Sequence, residues 1–331
     1  MKVFVTGAGG FVGKAVVAAA VASGHSVMAM CRPISRNPTP DFPDGVQTVI
    51  GDLCQTGEWQ EALQEADAII HCAVRFNSLA DSVLATENLL AAAPAGLTRF
   101  VHVSSFAVYD YTAPRWLATM DEHSPVEREP ERRDVYTQLK LRQEQLIGDH
   151  CREHAIPLVM TRPVAIYGTS RNWLFGCARK LGPLDLIFGP LSKLRLIHVE
   201  DCASALVAAL TARLDGRDAV VINLIATELC GHWSFHRQAR KFGAKTGFGI
   251  PVPYVLLRTL GWTAVAINKL FFSGRKTLPK TLEPVLQEVS WRPFRYSNKA
   301  ARTLLNWEPR VSLRSGIREI VEFKNFKKTS G

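Results

Sequence analysis

A chain of 331 residues with 47% hydrophobic and 21% charged residues is long enough to bury a full core and too apolar to be disordered. Its formal net charge of +10 favours anionic partners, whether a cofactor, a small-molecule substrate or a membrane surface. No basic run with interleaved aromatics speaks for nucleic acid. Seven scattered cysteines (Cys31, Cys54, Cys72, Cys151, Cys177, Cys202, Cys230) form no Cys-x-x-Cys pair, which points to reduced thiols and a cytoplasmic setting.

Lys2 to Thr6 reads as a short strand, Phe11 to Ser23 as a helix ended by Gly24-His25, and Ser26 to Met30 as a second strand. Between the first two lies "GAGGFVG", with Gly7, Gly10 and Gly13 spaced Gly-x-x-Gly-x-x-Gly. The glycines also break the apolar run that a secretory signal requires. A strand, a glycine turn and a helix in this order suit a dinucleotide. A backbone without Cβ atoms admits a pyrophosphate, and the helix start offers free N–H groups. An acidic residue at the end of the second strand would take the ribose 2′-hydroxyl of NAD. Cys31 and Arg32 stand there instead, with Arg36 shortly after. Guanidinium groups at this place suit a 2′-phosphate, so the expected cofactor is NADP(H), with NAD as the alternative.

The chain then alternates strands with helices. "VQTVIGDL" reads as a strand ending at Asp52, "ADAIIHCAV" as a buried strand ending near Ala73, and "ATENLLAAA" as helix. "TRFVHVSSFAVYD" and "IPLVMTRPVAIYG" are further strands with loops. This alternation predicts a doubly wound parallel α/β sheet, with ligands beyond the carboxyl ends of the strands. Asp52, Ala73, Ser104, Ser105 and Pro163 fall there. In "DVYTQLKLRQEQL" Tyr136 and Lys140 are four apart and share a helix face. A nearby ammonium favours the phenolate, so Tyr136 can exchange a proton with a substrate oxygen. Ser105 is available to orient that oxygen.

The longest apolar segment, residues 251–272, is interrupted by Arg258 and Lys269, with ten uncharged residues between them, too few to span a bilayer. It is expected to be a helix whose apolar face walls a cleft opposite Tyr136, with Arg258 and Lys269 outward. Peripheral membrane contact is the alternative. The pairs His150/His154 and His232/His236, the latter near Cys230, lack the further ligands that a metal site requires, so no metal is expected.

Taken together and in this order, "TGAGGFVG", "GDL", "VHVSSFAVY", "YTQLK", "RPVAIYG" and "HVEDCASA" resemble the extended short-chain dehydrogenase/reductase family, the NAD(P)-dependent epimerase/dehydratase and 3β-hydroxysteroid-dehydrogenase-like group. The resemblance covers nearly the whole chain, down to "KAARTLLNWEPRVSLRSGI". It implies Ser105, Tyr136 and Lys140 as the catalytic set, Ser105 because it lies three residues before Val108. It also implies Asp52 as adenine contact and Pro163 beside the nicotinamide. The cofactor-binding set expected overall is Gly7, Gly10, Phe11, Val12, Gly13, Arg32, Arg36, Asp52, Leu53, Ala73, Lys140 and Pro163.

Three departures stand out. "HCAV" replaces the family's pair of alanines, Asn306 replaces the glycine of the tail, and "SKLRLIHVED" has Leu194 where sugar-nucleotide enzymes carry Arg, with Arg195 one place off. Arg292 and Arg295 in "WRPFRY" remain candidates for an anion. The expected division is a dinucleotide-binding Rossmann domain of residues 1–168 and 196–225, and a smaller, mostly helical substrate lobe of 169–195 and 226–331. Apolar residues of the lobe (Trp173, Leu174, Phe175, Leu186, Ile187, Phe188, Trp262, Phe271, Phe272) are expected to shape specificity. Three functions fit: an NADP(H)-dependent oxidoreductase for a largely apolar hydroxyl or ketone substrate, a sugar-nucleotide epimerase, dehydratase or reductase, and a non-catalytic dinucleotide sensor. A homodimer is compatible with each.

Overall fold

The structure is a computed structural model that describes residues 1–32, 41–76, 78–169, 178–273 and 275–329. Arg36, Trp173, Leu174, Phe175 and Cys177 lie outside the described residues.

Five strands alternate with helices in the first part of the chain: β1 (Lys2–Thr6), α1 (Phe11–Ala22), β2 (Ser26–Cys31), β3 (Gln47–Ile50), α2 (Trp59–Gln64), β4 (Ala68–His71), α3 (Leu79–Ala91) and β5 (Arg99–Val103). β6 (Thr119–Met120) precedes the long α4 (Val135–Glu153), which leads to β7 (Leu158–Pro163) and β8 (Ala165–Tyr167). After β9 (Ala178–Leu181), β10 (Leu184–Phe188) and β11 (Leu196–His198) come α5 (Val199–Ala208) and β12 (Ala219–Leu224). The remainder is α6 (His232–Lys241), β13 (Phe248–Val252), α7 (Tyr254–Phe272), α8 (Pro284–Trp291), β14 (Arg295–Tyr296), α9 (Lys299–Leu305) and α10 (Leu313–Thr329).

Seven strands form one sheet in the order β12-β7-β5-β4-β1-β2-β3, parallel throughout. The strand order reverses between β1 and β4, and a crevice opens at such a switch point. Side chains alternate across the sheet. Val3 and Val5 pack with Val16, Val17 and Ala20 of α1 and Leu206 of α5, whereas Phe4 packs with Leu63, Leu89 and Ile147 of α2, α3 and α4. Burial on both faces explains why the strands read as unbroken apolar runs.

Helix starts follow local chemistry. Ser78 caps α3 by accepting from the Asp81 N–H at 3.1 Å, and Asp134 caps α4 by accepting from Thr137 N–H at 3.1 Å. Asn306, in place of the tail glycine, closes α9 in the left-handed region at φ 48°. Asn tolerates that conformation better than most residues, so the departure keeps the turn.

The smaller elements form three short sheets: β10 between β9 and β13, β8 beside β11, and β14 beside β6. α7 differs from expectation. It is a helix over the expected segment, but only Tyr254, Leu257, Gly261 and Asn268 are buried, along a narrow seam facing α8. Its large apolar side chains point outward. The reason lies in the polar anchors of that seam: Gln287 donates from Nε2 to the Leu257 carbonyl at 2.8 Å, and Asn268 donates from Nδ2 to the Lys276 carbonyl at 2.7 Å.

Candidate active site

The glycine turn leaves β1 at Gly7, whose φ of +65° suits a residue without Cβ. A Cβ at Gly7 would sit 2.9 Å from Cα of Ala73, and one at Gly13 would collide with the Gly7 carbonyl and stand 2.7 Å from Cα of Ala8. β1, α1 and the end of β4 therefore approach closely only because these residues are glycine. α1 begins at Gly10 with no side-chain cap and no acid in its first turn, leaving its first N–H groups for an anion. That cradle fits a dinucleotide pyrophosphate.

Arg32 is exposed just past β2, and its charge reaches Asp52. Asp52 lies beyond β3, which ends at Ile50 rather than at Asp52 itself. Its carboxylate accepts from the Cys54 N–H at 3.0 Å and pairs with Arg75, which also holds Asp81 at 3.2 Å. Burial pushes the Asp52 carboxyl up, but the Cys54 amide and Arg75 together bring it below the usual range. Leu53 is buried, and its carbonyl accepts from Asn88 Nδ2 at 2.8 Å.

Beyond the sheet switch point lies a cleft of about 540 Å³. Val12, Ser105, Tyr136, Lys140 and Pro163 of the expected set line it; Gly7, Gly10, Arg32 and Asp52 do not. Ser104 also lines it, but its hydroxyl donates to Glu144 at 2.5 Å, within a buried network in which Arg162 grips Glu144 at 2.8 and 2.6 Å. Ser105 is not drawn into that network; its Oγ accepts from the Ala107 N–H at 3.1 Å. The Tyr136 ring stacks on Phe76, centroids 5.5 Å apart.

Lys140 is buried on α4. Its Nζ donates to the Val103 carbonyl at 2.7 Å and to Gln143 Oε1 at 3.0 Å. Burial lowers its pKa to about 8. Gln143 in turn donates from Nε2 to Thr86 Oγ1 at 3.0 Å and to His71 Nε2 at 3.3 Å. With Nε2 accepting, His71 carries its proton on Nδ1 and gives it to Thr6 Oγ1 at 2.8 Å, and the Ala73 N–H donates to the same hydroxyl at 3.2 Å. Burial lowers the His71 pKa to about 3, so the ring is neutral. The chain Lys140–Gln143–His71–Thr6 links the Tyr136 helix to the glycine turn.

The far wall comes from Lys193 to Leu196, His232 and Val289 to Trp291. No residue of α7 lines the cleft, contrary to the expectation for 251–272. Leu186, Ile187 and Phe188 also lie outside it; Leu186 and Phe188 pack with Tyr254, Leu257 and Trp291. Arg292 is not a free anion site: it donates to Glu288 at 3.0 Å and to the Tyr111 and Pro114 carbonyls at 3.1 and 2.6 Å. Arg295 is exposed on β14 and outside the cleft.

Arg195, by contrast, faces the cleft together with Leu194. Its Nη2 donates to the Val289 carbonyl at 2.6 Å and its guanidinium lies 4.9 Å from the Tyr111 ring centre. Among the described residues, no carboxylate pairs with it. His232 presents a neutral ring: its Nδ1 donates to the Phe188 carbonyl at 2.8 Å, burial lowers its pKa to about 4, and Nε2 is left as an acceptor. His236 pairs instead with Asp185 at 2.9 Å, and the two histidines form no metal cluster among the described residues.

Sequence reasoning missed Arg75, Gln143 and Glu144, and weighed His232 only as a metal ligand. The Arg75–Asp52, Gln143–His71, Glu144–Arg162 and His232–Phe188 contacts join residues 18 to 72 apart along the chain, whereas the Gln143–Lys140 contact has a legible i, i+3 spacing.

A model of the NAD dependent epimerase/dehydratase family matches residues 3–224. The chain is 32% identical over 177 residues to a 4-hydroxy-2-methyl-3-oxo-4-farnesyl-3,4-dihydroquinoline-1-oxide ketoreductase of Stigmatella aurantiaca, covering 51% of each. It is 29% identical over 189 residues to a 3-beta-hydroxysteroid dehydrogenase of Mycolicibacterium neoaurum, covering 53% of this chain and 50% of that protein. The chain thus spans about half the length of these curated relatives. In structure it is similar to UDP-glucuronic acid 4-epimerase from Bacillus cereus in complex with NAD, with a TM-score of 0.70 at 20% identity over 99% of this chain and 98% of that one. That likeness is one of fold.

Proposed function

The chain belongs to the NAD dependent epimerase/dehydratase family, and we propose that within it the chain is an NADP(H)-dependent oxidoreductase acting on a hydroxyl or ketone of a small, largely apolar substrate. The observation that carries this reading is the cleft wall: Phe106, Val164, Ile166, Leu194, Val289 and Trp291 surround the pocket that holds Tyr136, Lys140 and Ser105. An apolar wall with few polar groups selects an apolar body and fixes its orientation through those groups. The two curated relatives named above, a farnesyl-quinoline ketoreductase and a steroid dehydrogenase, lend support.

When bound, the nicotinamide supplies or accepts the hydride. The residues of this chain manage the proton and the geometry. Ser105 and the Tyr136 hydroxyl hydrogen-bond the substrate oxygen. In reduction Tyr136 donates its proton to that oxygen as the carbonyl carbon gains hydride, leaving a phenolate and a carbinol; oxidation runs the same transfers backwards. The Lys140 ammonium stabilises the phenolate, since a nearby positive charge favours the ionised form. In this reading Arg32, whose charge reaches Asp52, would take the 2′-phosphate.

A second reading, a sugar-nucleotide enzyme, is favoured by one observation: Arg195, without a carboxylate partner among the described residues, and Lys193 both line the cleft. Incubation with NADPH and a panel of lipophilic ketones, against UDP-sugars with bound NAD, separates the two. Net cofactor oxidation with ketones supports the first reading; sugar interconversion without net cofactor turnover supports the second. The free state of the six described cysteines accords with a cytoplasmic location.

A further inference from the structure

α7 has its polarity reversed. Its protein-facing seam holds Tyr254, Leu257, Gly261 and Asn268, fixed by side-chain to backbone hydrogen bonds. Gly261 is required there, because a Cβ would meet the Gln287 amide at 2.7 Å. The opposite face carries Val255, Leu256, Leu260, Trp262, Ile267, Leu270 and Phe271, which with Phe272 are 47% to 78% exposed. At 3.6 residues per turn these side chains cover about half of the helix circumference. Two threonines interrupt them, and both turn their hydroxyls back onto the helix, Thr259 to the Val255 carbonyl at 3.0 Å and Thr263 to the Thr259 carbonyl at 2.9 Å. The outward face thus offers no free hydroxyl proton to water. Arg258 and Lys269 lie together on one flank, beside the seam.

The charge along this stretch of chain is equally one-sided. From residue 229 to residue 282 the chain has nine Lys and Arg and no Asp or Glu. Arg258 and Lys269 flank the apolar face, and Arg275 and Lys276 follow its end, all four exposed. A contiguous apolar face of this size marks an interaction site. Its combination with Lys269, Arg275 and Lys276, and with Arg258, which pairs with Glu288 at 3.6 Å, matches an interfacial helix. A second copy of the chain would bring the same positive charges together.

We propose that α7 is a membrane-docking helix that lies in the interface of an anionic bilayer, with its apolar face in the acyl region and its basic residues on lipid headgroups. It lies on the surface rather than crossing it, because its seam is bonded to α8 and Arg258 and Lys269 sit within its length. No residue of α7 lines the cleft, so the docking face and the cleft are separate surfaces. This inference does not depend on the substrate reading.

The test is co-sedimentation of the full chain with phosphatidylcholine vesicles, with and without phosphatidylglycerol. Binding to the anionic vesicles alone is expected, weakening as salt is raised. Leu256→Ser/Leu260→Ser/Phe271→Ser, all at exposed positions, should reduce partitioning at least ~10-fold with unchanged thermal unfolding. Arg275→Glu/Lys276→Glu should do the same in the anionic vesicles. Quenching of tryptophan fluorescence by brominated lipid should fall in Trp262→Phe. Absence of binding to anionic vesicles at low salt, or equal binding by the triple-serine variant, overturns the proposal. So does a dimer in sedimentation analysis that the triple-serine variant abolishes, which would assign the face to a second copy.

Discussion

Lys140 Nζ donates to the carbonyl of Val103 across 2.7 Å, tying the start of α4 to the end of β5. This bond, with that to Gln143, holds a fully enclosed ammonium beside the cleft. Burial makes that positive charge costly to the fold.

The first prediction concerns that cost. Burial lowers the Lys140 pKa from 10.5 to about 8. Between those values the unfolded chain binds a proton that the folded chain does not, so the lysine's contribution to stability rises with pH through that window. Below pH 8 the penalty is fully present, and above 10.5 it is gone. The stability of the native chain minus that of Lys140→Met, from urea unfolding, should therefore increase from pH 7.5 to pH 10. A flat or falling difference contradicts this.

Gln143 acts through Lys140 and is a positioning residue. Gln143→Leu removes one acceptor from the ammonium and strands Thr86 and His71. We expect a stability loss of about 1–3 kcal/mol and an alkaline limb of the kcat/KM profile for ketone reduction displaced to lower pH, because the ammonium loses an acceptor. Gln143→Glu restores an acceptor and a negative charge, which should move that limb back upward. A purely structural role would alter stability and leave the pH profile in place.

The Arg162–Glu144 pair is a stability element. Both side chains are buried, and Ser104 completes the carboxylate's shell. Arg162→Met leaves an uncompensated buried charge and should cost about 3–5 kcal/mol. Arg162→Met/Glu144→Leu should cost less than the sum of the single changes. Additive losses in denaturant titrations would show that the pair is not coupled.

Arg32 should govern the cofactor. Arg32→Asp replaces a phosphate-binding cation by an acid suited to a ribose hydroxyl. The NADPH-to-NADH affinity ratio, by calorimetry, should fall at least ~10-fold, the scale of one charge-assisted hydrogen bond. An unchanged ratio would leave Arg32 as a solvated residue at a strand end.

Much of this architecture was legible in the chain. Gly7, Gly10 and Gly13 mark the β1–α1 turn, where Gly7 and Gly13 leave no room for a Cβ, and unbroken runs such as "AIIH" mark strands covered on both faces. Tyr136 and Lys140 were legible as a pair because helix spacing is local. What was not legible is contact across long sequence separations: Arg75 on Asp52, His71 under Gln143, His232 on Phe188. The direction of α7 was misread for a related reason. Its apolar pattern shows that one face avoids water, but not which side of the helix the protein occupies. That is decided by Gln287 and Asn268, whose bonds no periodicity reveals.

The most direct test of the central claim follows a label. NADPH deuterated at both C4 positions is used, and the label is traced into the carbinol formed from a lipophilic ketone, with native enzyme and with Tyr136→Phe. The account predicts one deuterium at the new carbinol carbon for each NADPH consumed. It predicts a loss of at least ~10²-fold in turnover for Tyr136→Phe, the usual scale for a general acid, with NADPH affinity nearly unchanged. Undiminished transfer in Tyr136→Phe, or no transfer to any ketone alongside interconversion of UDP-sugars, would contradict it.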